Sequence, residues 1–322
     1  MVHATSSHGS SSRNTARLFR LLECTSIAKG PDRSKQRQGT MSRVICYLVI
    51  LVVGTTAVSS AQLATANDFG VTMGHLHYQV RDVEANKRFW VALGGEAVRI
   101  GEVQGVRFPD VLILLSQGDS VGGTEGSVVN HVAFRVQSLD MIEAAGFELD
   151  RMGDYSGVAS VFSPGGERIE LFDESATNLT FTADASANQS MSNRHNVGID
   201  VPIIAHHIHL YLPDGVAREA QRWYATMFGG IPGMRWRYIA TDLPGMNFNF
   251  SSGSKVMAPT RGRMLDHIGF EVANLENFYR GLVKKGVVFD LPYQRDLSGI
   301  ATAVLTDPWG TSIELTEGYR GL

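Results

Sequence analysis

Short alternating runs and amphipathic stretches recur in a fixed order along the 322-residue chain. Four segments each carry a histidine followed by an alternation of apolar and polar positions that closes on an aliphatic residue. They are HLHYQV (His75–Val80), HVAFRV (His131–Val136), HHIHLYL (His206–Leu212) and HIGFEV (His267–Val272). A period of two predicts a strand at each. Each is followed by a stretch with helical spacing: DVEANKRFWVALGG, QSLDMIEAAGF, DGVAREAQRWYATMFGG and NLENFYRGLVKKG. Three of these end in glycine, the expected helix stop. Short strand-like runs broken by Gly, Pro and Asp come next, such as DVLILLS, MNFNFS and IATAVLTDPWGTSIELTE. The repeating unit is therefore a strand, a helix and a few strands, about 55 to 60 residues long and written four times.

The units fall into two like halves. His207 follows His75 by 132 residues, His267 follows His131 by 136, and Glu314 in SIEL follows Glu170 in RIEL by 144. The drift is that of inserted loop residues. The polar stretch Glu174–Asn196 between the halves reads as a linker. The sequence thus predicts one domain over residues 67–175, a linker over 176–203 and a second domain over 204–322.

Residues 1–66 read differently. Forty polar, Ser- and Arg-rich residues precede Met41. Arg43, the ten-residue apolar run Val44–Val53 and then small residues follow. That is the order of a secretory signal peptide, with cleavage expected after Ala61 or Ala66, and residues 1–40 read as an over-extended start. The run is short for a bilayer span, so no stable membrane span is expected in the mature chain and the expected location is secreted or periplasmic. Cys24 and Cys46 both lie in this region. The mature chain would have no cysteine, which removes disulfides, a thiol nucleophile and cysteine ligands. A net charge of −3 gives no electrostatic case for a nucleic-acid partner.

With GHLHYQVRDVEANKRFWVALGG, HHIHLYLPD, DHIGFEVANLE and DPWGTSIELTEG in view, residues 71–320 closely resemble the vicinal oxygen chelate superfamily of glyoxalases, bleomycin-resistance proteins and extradiol dioxygenases. The resemblance implies an α+β fold in which βαβββ modules pair, first with second and third with fourth, into two half-open barrel domains. It also implies a divalent metal, Fe, Mn, Zn or Ni, held by residues of the first strand of each module and the last strand of the pair. Those positions are His75, His131 and Glu170 in the first half and His207, His267 and Glu314 in the second, which is the half expected to be active.

Strand alternation places His207 and His209 on one face and His206 on the other, and gives His209 as the candidate for proton transfer. Tyr293 is a further candidate at the site. DVLILLS and MNFNFS lack the carboxylate that glyoxalase-type enzymes usually supply there, leaving two imidazoles and one carboxylate with open coordination positions. The implied function is a metal-dependent dioxygenase or lyase acting on a small substrate with adjacent oxygens. The alternatives are a metal-free binding protein of the bleomycin-resistance type and a glyoxalase I-type lactoylglutathione lyase. Either a monomer or a homo-oligomer fits, since four modules in one chain can complete each site.

Overall fold

The computed structural model describes residues 62–253 and 257–320; the expected signal peptide, up to residue 61, lies outside them. Each of the four units folds as βαβββ. The first comprises β1 (Val71–Val80), α1 (Val83–Ala92), β2 (Glu96–Ile100), β3 (Val103–Phe108) and β4 (Val111–Gln117). The second comprises β5 (Val129–Val136), α2 (Leu139–Ala144), β6 (Asp150–Arg151), β7 (Val158–Phe162) and β8 (Arg168–Phe172). A short strand β9 (Phe181–Ala183) and a 3-10 helix (Ser186–Asn196) intervene. The third unit comprises β10 (Ile203–Leu212), α3 (Ala217–Phe228), β11 (Ile231–Arg235), β12 (Tyr238–Leu243) and β13 (Met246–Ser252). The fourth comprises β14 (Leu265–Val272), α4 (Leu275–Lys284), β15 (Phe289–Arg295), β16 (Ala301–Thr306) and β17 (Ser312–Glu317). No helix of the described residues is long and apolar enough to cross a membrane.

The modules do not pair with their neighbours in the way the halves suggest. An eight-stranded mixed sheet runs β15-β16-β17-β14-β1-β4-β3-β2 and so joins the first unit to the fourth. A nine-stranded sheet runs β6-β7-β8-β5-β10-β13-β12-β11-β9 and joins the second to the third. Residues 67–175 and 204–322 therefore do not each close a sheet of their own. The seams are antiparallel pairs of first strands, β1 with β14 and β5 with β10. The presumed linker is also structured: β9 pairs with β11, and Asn196 and Gln189 bond to Phe181.

The main core lies on the helix-covered faces of both sheets. Trp90, Phe108 and Phe134 meet there, as do Tyr224, Phe228, Phe248 and Phe270, all at most 1% exposed. Helix entry is set by side-chain caps: Asp82 accepts from the Ala85 N–H, Ser138 from Asp140 and Asn274 from Asn277. Alternation then sends the second residue set of each first strand to the opposite face. In β1, Val71 and Met73 are buried in the core, as are Leu76, Tyr78 and Val80. The change of parity is a bulge between Met73 and His75. It turns His75 and His77 away from the core. A bulge between Ala205 and His207 does the same in β10.

Candidate metal centre

The bulges build two sites, one on each sheet, from equivalent positions of different modules. In the first, His75 and His77 come from β1, His267 from β14 and Glu314 from β17. One ring nitrogen from each of the three histidines lies within 4.8 Å of the others, spacing that could hold a metal ion. Glu314 Oε2 lies 3.0 Å from His75 Nε2 and 3.4 Å from His267 Nε2. Both nitrogens are buried without an aligned hydrogen-bond partner. They point to a shared position rather than along a bond to the carboxylate.

The strand register explains this convergence. His77 pairs with His267, and His75 with Gly269, across the antiparallel seam. A Cβ on Gly269 would fall inside the His75 ring, so the absent side chain is what admits the imidazole. His267 Nδ1 is fixed by Asp266 Oδ1 at 2.7 Å, and His77 Nε2 by Ser116 Oγ at 2.6 Å. Such partners orient ring nitrogens for ligation.

Electrostatics support the same arrangement. Burial holds the His75 imidazole neutral by pushing its pKa down, and it pushes His77 down to about 3. For His267 burial acts downward too, but the carboxylates of Asp266 and Glu314 outweigh it and raise the pKa. Burial would raise Glu314, yet the closeness of the His267 and His75 imidazoles holds it well below the usual carboxylate range.

Tyr319 closes the first site: its ring lies 5.6 Å from His75. The buried Glu271 carboxylate anchors that turn by accepting the backbone N–H groups of Gly318, Tyr319 and Arg320. Leu112 and Leu114 stand level with His75 and His77 on the neighbouring strand, and with Ile100 they form an apolar wall.

The second site repeats the frame with His207 and His209 from β10, His131 from β5 and Glu170 from β8. His131, His207 and His209 also bring ring nitrogens within 4.8 Å and could hold a metal. His209 Nε2 bonds Ser251 Oγ at 2.8 Å, as His77 bonds Ser116, and His131 Nδ1 bonds Asn130 Oδ1 at 2.8 Å, as His267 bonds Asp266. The surroundings differ. Arg168 donates to Glu170 at 3.0 Å and lies 2.8 Å from His131 Nδ1, and Arg235 Nη2 lies 3.5 Å from His207 Nε2. Arg235 is 1% exposed, and burial lowers its pKa only to about 10, so it stays cationic. His131, His207 and His209 are all pushed down, first by burial and then by neighbouring cations and histidines.

Each anticipated ligand residue therefore lies in a histidine-carboxylate cluster, but with exchanged partners. His75 meets His267 and Glu314; His207 meets His131. The expected triads His75–His131–Glu170 and His207–His267–Glu314 do not form, because the seams join different modules. His206 does not point to the core face either. At the bulge its Nδ1 lies 2.8 Å from His207 Nδ1, and its ring is buried beside His195. Tyr293 stands beside Tyr279 of α4, its hydroxyl accepting from Arg295 Nε at 3.3 Å, which directs it to the helix side rather than to the histidines. Asp266, Gly269 and Tyr319 were not anticipated. The first two sit in DHIG, where an acid before the histidine and a glycine two residues after it were the available signal.

A bulged His-x-His strand facing a third histidine and a carboxylate across a module seam, twice over, defines a duplicated βαβββ architecture with two candidate metal sites. The model of the Glyoxalase/Bleomycin resistance protein/Dioxygenase superfamily matches residues 72–315, and the chain belongs to that superfamily. Among solved structures it is similar to glyoxalase I from Zea mays, at 12% identity over 77% of this chain and 92% of that one, with a TM-score of 0.53. It is also similar to a putative dioxygenase from Bacillus subtilis, at 13% identity over 80% of this chain and 88% of that one, with a TM-score of 0.54. At these identities the likeness shows the fold. No curated protein matches the chain.

Proposed function

We propose that the chain is an exported metal-dependent enzyme acting on a small substrate with two adjacent oxygens, and that its working site is the one shared by the first and fourth modules. His75, His267 and Glu314 would hold the divalent ion. The observation that carries this is the convergence of two buried, unaligned imidazole nitrogens on one Glu314 oxygen. A divalent ion bound there supplies Lewis acidity to the substrate's paired oxygens. Asp266 keeps the His267 ring turned so that Nε2 faces the site. His77, tethered to Ser116, faces the site beside His267, in the place that His209 takes in the other cluster. Leu112, Leu114 and Ile100 favour a substrate whose remainder is apolar, and Tyr319 shields it from water.

The test is metal analysis of the purified chain, followed by two assays on the metal-loaded protein: oxygen uptake with a catechol, and isomerisation of a hemithioacetal. Turnover in the first supports a dioxygenase and in the second a glyoxalase-type lyase. Failure to retain any divalent ion ends the reading.

For export, the contacts of residues 62–66 favour cleavage after Ala61. The Gln62 carbonyl accepts from Asp110 N–H at 3.1 Å, Leu63 packs on Ile100, Leu112 and Leu114, and the Ala64 carbonyl accepts from Arg320 at 3.0 Å. N-terminal sequencing of the secreted protein checks this, and a mature chain starting at Asn67 would contradict it.

A further inference from the structure

The two sites share one frame but carry opposite charge. An ungapped alignment of EAVRIGEVQGVRFPDVLILLS with IPGMRWRYIATDLPGMNFNFS sets Ile100 against Arg235, Leu112 against Asn247 and Leu114 against Asn249. In the same way Asp266 matches Asn130 and Ser312 matches Arg168. Three of these exchanges put a polar or charged side chain where the first site has an aliphatic one, and together the five remove an acid and add two guanidinium groups. Its permanently charged side chains are Arg168 and Arg235 against Glu170, an excess of one positive charge. The first site has two carboxylates and no arginine at the corresponding positions.

From this geometry we infer that the second site is a binding pocket for a small organic monocarboxylate, with Arg235 as its anchor. Arg235 is buried with neutral partners: Nε donates to Asn249 Oδ1 at 3.1 Å, Nη1 donates to the Asn178 carbonyl at 2.8 Å, and Nη2 stands 3.5 Å from His207 Nε2. The neighbouring acid, Glu170, is already held by Arg168 and by His131 at 3.2 Å. No carboxylate is in direct contact with the buried Arg235 guanidinium, Glu170 acting on it only from a distance; a buried cation so placed is costly, and an oxyanion would pair with it directly.

There is room for one. A cavity of about 140 Å³ is bounded by Arg235, Arg168, His131, His209, Tyr238 and Trp236; a cavity of roughly 150 Å³ holds a benzene-sized group. The single net charge matches a carboxylate better than a phosphate, which carries about −1.5 to −2 at neutral pH in its monoester form.

The rim gives an independent sign. Trp236 occupies the left-handed region at φ 50°, where the first site has Gly101 at φ 56°. A tryptophan held there is strained, and strain of this kind collects at ligand sites. The turn directs Arg235 inward while Trp236 is 38% exposed beside the cavity, with the Arg237 guanidinium 4.2 Å above its ring. An aromatic wall above a guanidinium suits the flat body of an aryl or unsaturated acid.

The experiment is calorimetric titration of the full, metal-stripped chain with benzoate, acetate and inorganic phosphate, so that anions cannot bind through a metal. Saturable binding of benzoate at one equivalent, tighter than phosphate, is expected. Arg235→Ile, which installs the residue of the first site, should weaken it by about tenfold or more, the value of a lost charged hydrogen bond. Should that variant fail to fold, Arg168→Ser provides the same readout from the more exposed guanidinium. No saturable binding of any carboxylate, phosphate binding more tightly than benzoate, or an affinity unchanged in a folded variant would each overturn the inference. Glu314→Gln should leave benzoate binding intact, which separates this pocket from the metal site.

Discussion

Gly269 stands opposite His75 across the seam between the first and fourth modules, and its missing side chain is the space the His75 ring fills. The equivalent pair on the other sheet is Ala133 opposite His207. Gly269→Ala should therefore expel the His75 imidazole from the cluster. The expected result is loss of tight metal binding, with a stability cost of about 1–3 kcal/mol from overpacking. Metal titration and urea unfolding measure the two effects. An unchanged metal affinity would show that His75 is not a ligand.

Asp266 orients His267 through a bond that Asn130 makes to His131 on the other sheet. Asp266→Asn keeps the shape and removes the charge. Metal affinity should fall by about 10- to 100-fold, the usual loss when a carboxylate behind a histidine ligand is removed. Asn130→Asp should leave the affinity of the first site as it was. Competition against a chromogenic chelator gives both values.

These two residues mark how far the sequence could be read. Four modules, their order and the clustered residues His75, His131, Glu170, His207, His209, His267 and Glu314 were legible, because strand alternation and equal spacing leave a periodic record; Asp266 was not. The partner of each module was not. First strands from any two modules can form the same antiparallel seam, so HIGFEV carries the same face pattern whether it lies beside HHIHLYL or HLHYQV. His206 was misplaced because a bulge shifts the alternation by one residue and leaves no mark in composition. Tyr319 and Arg235 reach their sites through turns whose direction depends on backbone geometry, such as the carboxylate of Glu271 gathering three N–H groups.

Acid should destabilise the metal-free protein. The pKa values of His75, His77, His131, His195, His206, His207 and His209 are all lowered, chiefly by burial. Between their folded pKa and the unfolded value of about 6.5 the unfolded chain binds more protons, so stability falls as pH drops through that window. For His77 the window extends down to about 3. His267 has the opposite sign: its raised pKa contributes stability below about pH 6.5 that is lost as pH rises through the folded value. One group against seven leaves the net slope positive. The urea midpoint should be lower at pH 5 than at pH 7, and a higher one would contradict the buried neutral histidines.

Trp236→Gly should raise stability by roughly 0.5 kcal/mol. Relief of the left-handed strain slightly exceeds the flexibility glycine adds to the unfolded chain. That corresponds to about 1–2 °C in Tm for a domain of this size. A clear fall in Tm would show that stacking with Arg237 outweighs the strain.

The central claim is that residues far apart in the chain, from the first and fourth modules, hold one metal between them. Metal stoichiometry of four single variants tests it most directly: His75→Ala, Glu314→Gln, His207→Ala and Glu170→Gln. His75→Ala and Glu314→Gln should each remove the same high-affinity equivalent, while His207→Ala and Glu170→Gln retain it. If His207→Ala removes the equivalent that Glu314→Gln removes, while His75→Ala keeps it, the site belongs to the third and fourth modules and the account is wrong.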